Sequence, residues 1–434
     1  MNIFTKQSKG IKGEIEVPGD KSISHRAVML LPLCRGYFKI QNFLLSNDCI
    51  HTIRAMRMLG ADINVKGSIV NISGKGKEYL NTPVSSVYLG NSGTSMRLLS
   101  GIFASIKGKN VLYGDDSLSK RPMKRIIKPI EMMGGDIKSI MENGTPPLII
   151  EGRRLRGIDY EMDVASAQVK SSILLGSLFA EGTTNIIEKA KTRDHTERML
   201  SYLGCDISLS NNKVSMKCGQ KLKGDDIAIP GDISSAAFPI AAALLVPDSE
   251  LIIRNVGFNP SRIGFIDVIK KMGADIKLLN QWESNNEPFA DIMVKSSELK
   301  GVEIAGNIIP RLIDEIPVIA LLAAFSEGKT VIKDACELRH KESNRINSIA
   351  CNLRKIGAEV VETADGMMIN PINADRNTTR ILDSFNDHRI AMAFSIAGFI
   401  LGETIICNCE NIATSFPGFV ELMTSLGCNI EVKK

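Results

Sequence analysis

The sequence predicts an α/β protein built from six small repeats, grouped as two domains of three. Three observations carry this. A Leu/Met/Ile-Gly-x-Asp/Glu/Asn-Ile/Val pattern returns six times, centred on Gly60, Gly134, Gly204, Gly273, Gly357 and Gly427, at spacings of 74, 70, 69, 84 and 70. A second, more apolar helix recurs beside it. The motif Val17-Pro18-Gly19-Asp20-Lys21-Ser22 is echoed by Ile229-Pro230-Gly231-Asp232-Ile233-Ser234. Near-constant self-similarity over the whole length marks internal repetition, and a period of about 70 suits α/β subdomains rather than solenoid turns.

The glycine pattern reads as a helix ending on a residue that tolerates positive φ, followed by a strand. Apolar residues spaced near 3.6 precede it in 49–59, 124–133 and 344–356, as an amphipathic helix requires. The other helix of each repeat is apolar all round and therefore buried. It is read at 27–33, 171–179, 316–325 and 390–400, with a turn and strand following at 37–40, 182–187, 328–332 and 402–406. The Pro-Gly echoes divide the copies three and three. They predict a domain over 20–231, inserted into a second one made of 1–19 plus 232–434, with the paired turns as hinges.

Composition narrows the function class. The chain has 434 residues, 44% hydrophobic and 23% charged, with net charge +5 and only 5% aromatic residues. The charge is spread along the chain, and a nucleic-acid binder would need basic blocks or stacking platforms. A mild positive excess suits small anionic ligands. The nine cysteines are scattered, and the Cys407-x-Cys409 pair lacks the further ligands that zinc requires. The longest apolar stretches, such as 390–401, fall short of the roughly 20 residues that span a bilayer. A reducing cytoplasm and a monomer are the expected setting and state, with no nucleic-acid or membrane partner.

Polar residues crowd the starts of the apolar helices: Lys21-Ser22-Ile23-Ser24-His25-Arg26, Asn91-Ser92-Gly93-Thr94-Ser95-Met96-Arg97, Ser166-Ala167-Gln168, Asp314 and Asp387-His388-Arg389. Ser, Asn and Asp there are ordinary N-caps. Lys21, Arg26, Arg97 and Arg389 are not, because cations are costly beside buried helices unless paired. Several helix N-termini and cations aimed at one place would form an anion sink. Two charge-dense segments, 115–123 and 339–345, precede further helices, and the Gly-Asn-Ser-Gly-Thr-Ser stretch lacks the Gly-Lys-Ser/Thr ending of a Walker loop.

At these residues the chain resembles the EPSP synthase family along essentially its whole length. The matching stretches are 18–26, 89–97, Arg121-Pro122-Met123, Pro310-Arg311-Leu312-Ile313-Asp314-Glu315, Lys341-Glu342-Ser343-Asn344-Arg345 and Asn386-Asp387-His388-Arg389. The resemblance implies a two-domain inside-out α/β barrel of six βαβαββ repeats, with the active site in the cleft between the domains. It implies transfer of the enolpyruvyl group of phosphoenolpyruvate to the 5-hydroxyl of shikimate 3-phosphate, with release of phosphate. It assigns Asp314 as base and has Lys21 and Glu342 assisting proton transfer. Lys21, Ser22, Arg26, Ser166, the Ala167 backbone, Gln168 and Lys341 would hold shikimate 3-phosphate. Asn91, Gly93, Arg121, Gln168, Arg345 and Arg389 would line the phosphoenolpyruvate side, where the resemblance also implies that glyphosate competes. No metal or organic cofactor is implied.

Three stretches depart from the better-known family pattern: Ser166-Ala167-Gln168, Lys341-Glu342-Ser343-Asn344-Arg345, and Thr414-Ser415-Phe416-Pro417, where many members carry a lysine. Two other readings compete with this one. The UDP-N-acetylglucosamine enolpyruvyl transferases have Lys-Asn in the first motif and usually a reactive Cys before Arg-Pro; this chain has Lys21-Ser22 and no Cys in 115–120. A non-catalytic anion-binding protein of the same fold would have no need to keep both Asp314 and Glu342.

Overall fold

The computed structural model describes residues 1–373 and 378–433. The chain divides into two compact units, each with its own apolar core. The inserted unit is Gly19–Ile229 with the four residues Ser284–Glu287; the flanking unit is Met1–Pro18, Pro230–Glu283 and Pro288–Lys434.

The helices of the inserted unit are α1 (Lys21–Leu30), α2 (Asn47–Met58), α3 (Gly93–Phe103), α4 (Lys124–Met132), α5 (Ala167–Ser177) and α6 (His195–Tyr202). Those of the flanking unit are α7 (Ile233–Leu245), α8 (Gly264–Lys271), α9 (Ile309–Leu312), α10 (Ile316–Ala324), α11 (Arg345–Lys355), α12 (His388–Ser395), α13 (Ala397–Leu401) and α14 (Phe419–Ser425).

Among the described residues there are six four-stranded sheets, three per unit, all with the same strand order. The third repeat shows it without interruption. Asp159–Glu161 pairs in parallel with Thr183–Ile187 across α5; Thr183–Ile187 pairs antiparallel with Lys213–Lys217, which forms a hairpin with Ile207–Ser210. Each repeat thus runs βαβαββ, with its last strand lying inside its third. Three repeats take a strand from a distant point of the chain. Ile227–Ala228 supplies the first strand of the sheet containing Arg35–Gln41, Lys12–Glu16 the first strand of the sheet containing Glu250–Gly257, and Asn2–Thr5 the fourth strand of the sheet containing Thr404–Cys407.

The repeated glycines behave as their position demands. Gly60, Gly134, Gly204, Gly273, Gly357 and Gly427 all have φ between +80 and +97°. A side chain there is strained, so glycine ends the amphipathic helix and turns the chain into the next strand. The other helices are buried as their composition predicts: every residue of α10 is buried, as are 233–244 in α7. One detail differs from the reading of 390–400 as one helix. It breaks at Ile396, whose N–H bonds to Ala393 only three residues back, giving α12 and α13. In the inserted unit α3 and α5 approach closely because Gly101 lies under Ser172; a Cβ there would sit 2.1 Å from the Ser172 carbonyl oxygen.

Candidate active site

The polar helix starts resolve into caps and non-caps. Asp20 accepts from Ile23 N–H at 2.9 Å, Ser92 from Ser95 N–H at 3.1 Å, Ser166 from Val169 N–H at 3.5 Å and Asp387 from Arg389 N–H at 2.9 Å. These side chains satisfy orphan donors of the first turns. The cations beside them have other work.

In the inserted unit, Lys21 opens α1 and forms an ion pair with Asp48 of α2. One turn on, Arg26 is buried, and its three nitrogens donate to Thr196 Oγ1 at 2.6 Å, Ser171 Oγ at 2.8 Å and the Ser22 carbonyl at 2.8 Å. Burial pushes its guanidinium down to about 10, partly offset by Glu197 and Asp20, so it stays charged at neutral pH. His25 faces the opposite way. Its Nδ1 lies 2.6 Å from Thr52 Oγ1, which is 2.6 Å from Ser95 Oγ, which donates to Ser92 Oγ at 2.7 Å. This hydroxyl chain ties α1, α2 and the start of α3 together. Burial, then Lys21 and Arg26, hold the His25 imidazole well below its ordinary 6.5, hence neutral.

The start of α3 carries a second group. Gln168 donates to Thr94 Oγ1 at 2.9 Å and accepts from Arg97 at 2.5 Å, which links α5 to α3. Asn91 accepts from Arg121 and donates to Asp115 at 2.8 Å. Gly93 sits under both arginines: a Cβ would be 3.1 Å from Arg121 Nη1 and 3.4 Å from Arg97 Nη1. Behind this surface, Lys170 of α5 is 1% exposed and paired with Glu188 (2.9 Å) and Glu197 (2.5 Å). Burial drives the Glu197 carboxyl upward, against the pull of Lys170.

In the flanking unit, Arg345 at the start of α11 gathers three carboxylates. Its Nε and Nη2 donate to Asp387 at 2.8 and 3.2 Å, Nη2 to Glu342 at 2.7 Å and Nη1 to Asp314 at 3.3 Å. Burial opposes the charge on Arg345, but Asp387 and Glu342 outweigh it and raise its pKa. Burial likewise pushes the Asp387 carboxyl up, and Arg345 overcomes this to leave it below its usual range. Lys341 reaches Asp314 Oδ1 at 3.1 Å, and Arg389 donates to the Asp314 carbonyl at 3.0 Å. Arg311 donates to Asp267 at 2.8 Å and to the Pro260 carbonyl.

The residues read from the sequence are divided between the two units. Lys21, Ser22, Arg26, Asn91, Gly93, Arg121, Ser166, Ala167 and Gln168 lie in the inserted unit; Asp314, Lys341, Glu342, Arg345 and Arg389 lie in the flanking one. Side-chain exposure separates their roles. Lys341 is 27% exposed, Glu342 21% and Asp314 15%, whereas Arg345 is 1% exposed and spends its donors on carboxylates. Sequence reasoning left out Asp48, Asp387 as an ion-pair partner, Thr196, Ser171 and the Lys170–Glu188–Glu197 group. Each is paired with a residue far along the chain or on another helix, and no local spacing announces such a partner.

The described residues contain no group of three or more His, Cys, Asp or Glu side chains placed to hold a metal, and no helix long and apolar enough to cross a membrane.

Residues 5–423 match the family model for EPSP synthase (3-phosphoshikimate 1-carboxyvinyltransferase). The chain belongs to the EPSP synthase family. It is 52% identical over 427 residues to a 3-phosphoshikimate 1-carboxyvinyltransferase of Thermoanaerobacter sp. (strain X514), covering 98% of this chain and 100% of that one. A relative of the same name from Brevibacillus brevis is 50% identical, with 97% and 99% covered. Among solved structures, EPSP synthase from Acinetobacter baumannii superposes with a TM-score of 0.89 at 43% identity, covering both chains completely. The enolpyruvyl transferase NikO from Streptomyces tendae shares the fold, with a TM-score of 0.79 at 17% identity over 99% of this chain and 98% of that one. The architecture is the inside-out α/β barrel of this family, six βαβαββ units in two sets of three.

Proposed function

We propose that the chain transfers the enolpyruvyl group of phosphoenolpyruvate to the 5-hydroxyl of shikimate 3-phosphate. The observation that carries this is the family match over residues 5–423, at 47–52% identity to relatives named for the activity. The 5-hydroxyl oxygen attacks C2 of phosphoenolpyruvate, its proton passes to a base, and C3 takes up a proton. The tetrahedral adduct then loses phosphate and a C3 proton, so the double bond re-forms and the protons balance.

Asp314 is the base in this reading. Its partly open carboxylate, bonded by Lys341 and Arg345, is held in one orientation without being sealed from solvent. Lys21 and Glu342, each anchored by an ion pair, handle the proton at C3. Ser22, Arg26, Ser166, the Ala167 backbone, Gln168 and Lys341 hold shikimate 3-phosphate. Asn91, Gly93, Arg121, Gln168, Arg345 and Arg389 form the phosphoenolpyruvate side. Arginine suits that side because its planar fork matches carboxylate and phosphate oxygens. Within that group the packing supports Arg345 as the anchor of Asp314 and Glu342, with Arg121 and Arg389 as the groups that meet ligand. The proposal includes a monomer working in the cytoplasm, with 20–231 and 1–19 plus 232–434 as domains closing on one ligand pair in the cleft between them. Phosphate carries away the charge of the leaving group, and fixed cations stabilise the adduct.

The test is phosphate release on mixing the two substrates with wild type and with Asp314→Ala. Loss of a general base should lower kcat by about 10²–10⁴-fold. Wild-type turnover retained in Asp314→Ala removes Asp314 from the mechanism; binding of both substrates without release favours a non-catalytic binder.

A further inference from the structure

Two buried arginines in this chain use the same edge of the guanidinium differently. Arg345 presents its Nε–H and an Nη2–H to the carboxylate of Asp387. Arg26 presents the same pair to two hydroxyls, Thr196 Oγ1 at 2.6 Å and Ser171 Oγ at 2.8 Å, which lie 2.6 Å from each other. A carboxylate fixes a guanidinium and cancels its charge. A hydroxyl pair fixes it and leaves the charge in place.

The guanidinium has five N–H donors. Among the described residues three are accounted for: two by the hydroxyl pair and one, on Nη1, by the Ser22 carbonyl one helical turn back. One N–H is left on each Nη nitrogen. Thr196 and Ser171 are themselves buried, on α6 and α5, so the hydroxyl pair is set by packing between helices rather than by mobile side chains.

We propose that Thr196 and Ser171 are positioning residues: they lock one edge of Arg26 so that the remaining Nη1–H and Nη2–H grip one oxyanion of shikimate 3-phosphate with the full positive charge. This rests on the enolpyruvyl-transfer reading above. It adds a reason for neutral hydroxyls at this place. An acidic residue at either position would hold Arg26 equally well and cost the ligand its counter-charge.

The experiment compares Thr196→Val, which keeps shape and removes the acceptor, with Thr196→Ser, which restores it. Losing one charge-assisted hydrogen bond should weaken shikimate 3-phosphate by about tenfold or more, read as KM and as Kd by calorimetry. KM for phosphoenolpyruvate and kcat should stay within about twofold, and Thr196→Ser should recover wild-type binding. If Thr196→Val does not fold, Ser171→Ala gives the same readout. Calorimetry with shikimate locates the oxyanion: an equal loss assigns the carboxylate and no loss assigns the phosphate, and either upholds the proposal. Unchanged affinity for shikimate 3-phosphate in a folded variant overturns it, as does a matching loss for both substrates or failure of serine to rescue. Because calorimetry needs no turnover, an inactive wild type would count against the enolpyruvyl-transfer reading and leave this test intact.

Discussion

Replacing Asp387 by Asn removes one charge from the core of the flanking cluster while leaving its shape and its cap on α12. In the structure Asp387 is fully buried and receives two hydrogen bonds from Arg345, the shorter at 2.8 Å. At that separation, with an effective dielectric of about 20, the attraction is about 6 kcal/mol. The carboxylate's own desolvation offsets part of it, and removing one partner of a buried pair costs about 3–5 kcal/mol in practice. Glu342 and Asp314 remain to share the Arg345 charge, which places the expected loss near the lower figure, about 3 kcal/mol. Asp387→Ala should lose about 1 kcal/mol more, since it also removes the cap to Arg389 N–H. Urea titration can be followed through Trp282, the single tryptophan, which stacks on Phe289 in the flanking unit. The same variant should show reduced phosphate release, because Arg345 will draw Asp314 and Glu342 toward itself. If Asp387→Asn unfolds within about 0.5 kcal/mol of wild type, the buried ion cluster is not what holds the Asp314 and Glu342 carboxylates.

Further outcomes follow from the same geometry. Gly93→Ala should fold, because its Cβ meets flexible arginine ends at 3.1 and 3.4 Å rather than backbone, and should weaken glyphosate more than phosphoenolpyruvate; equal losses in a titration of both would refute this. His25 is held neutral in the fold and protonates in the unfolded chain below about pH 6.5, so the unfolded state binds more protons there. Stability should therefore fall with pH below that point by up to about 1.4 kcal/mol per unit, and His25→Gln should lose this component of the slope in thermal melts from pH 7 to 5. Lys170→Met leaves Glu188 and Glu197 buried without their cation and should cost about 3–5 kcal/mol, less in the triple variant that also carries Glu188→Gln and Glu197→Gln. Small-angle scattering should show a smaller radius of gyration with shikimate 3-phosphate; an unchanged radius would count against domain closure.

The periodic parts of the molecule were readable in the sequence because their physics is local. A glycine at a helix end takes positive φ whatever surrounds it, and all six repeated glycines do so. Ser92, Ser166 and Asp387 cap because a cap needs only the next two or three N–H groups. The pairings beneath the candidate site are of another kind. Lys170 lies in what reads as an apolar helix, and its two acids come from a loop and from α6. Arg345 looks like one residue of a solvated charge run, yet Asp387, on the other side of a whole strand–helix passage, makes it the most deeply buried cation of the flanking cluster. The break at Ile396 was equally silent, since the residues on either side are uniformly apolar.

The four residues Ser284–Glu287 bear on any attempt to dissect the molecule. His195 Nδ1 meets Glu287 at 2.7 Å, Arg198 donates to the Asn286 carbonyl at 2.9 Å, and Ala228 N–H donates to Asn285 at 3.1 Å. A gene fragment cut at the two Pro-Gly turns would encode all six helices of the inserted unit and still leave α6 without the acid on its first histidine. A self-sufficient recombinant piece needs that tetrapeptide grafted back, so the natural units of cloning and of folding do not coincide in this chain.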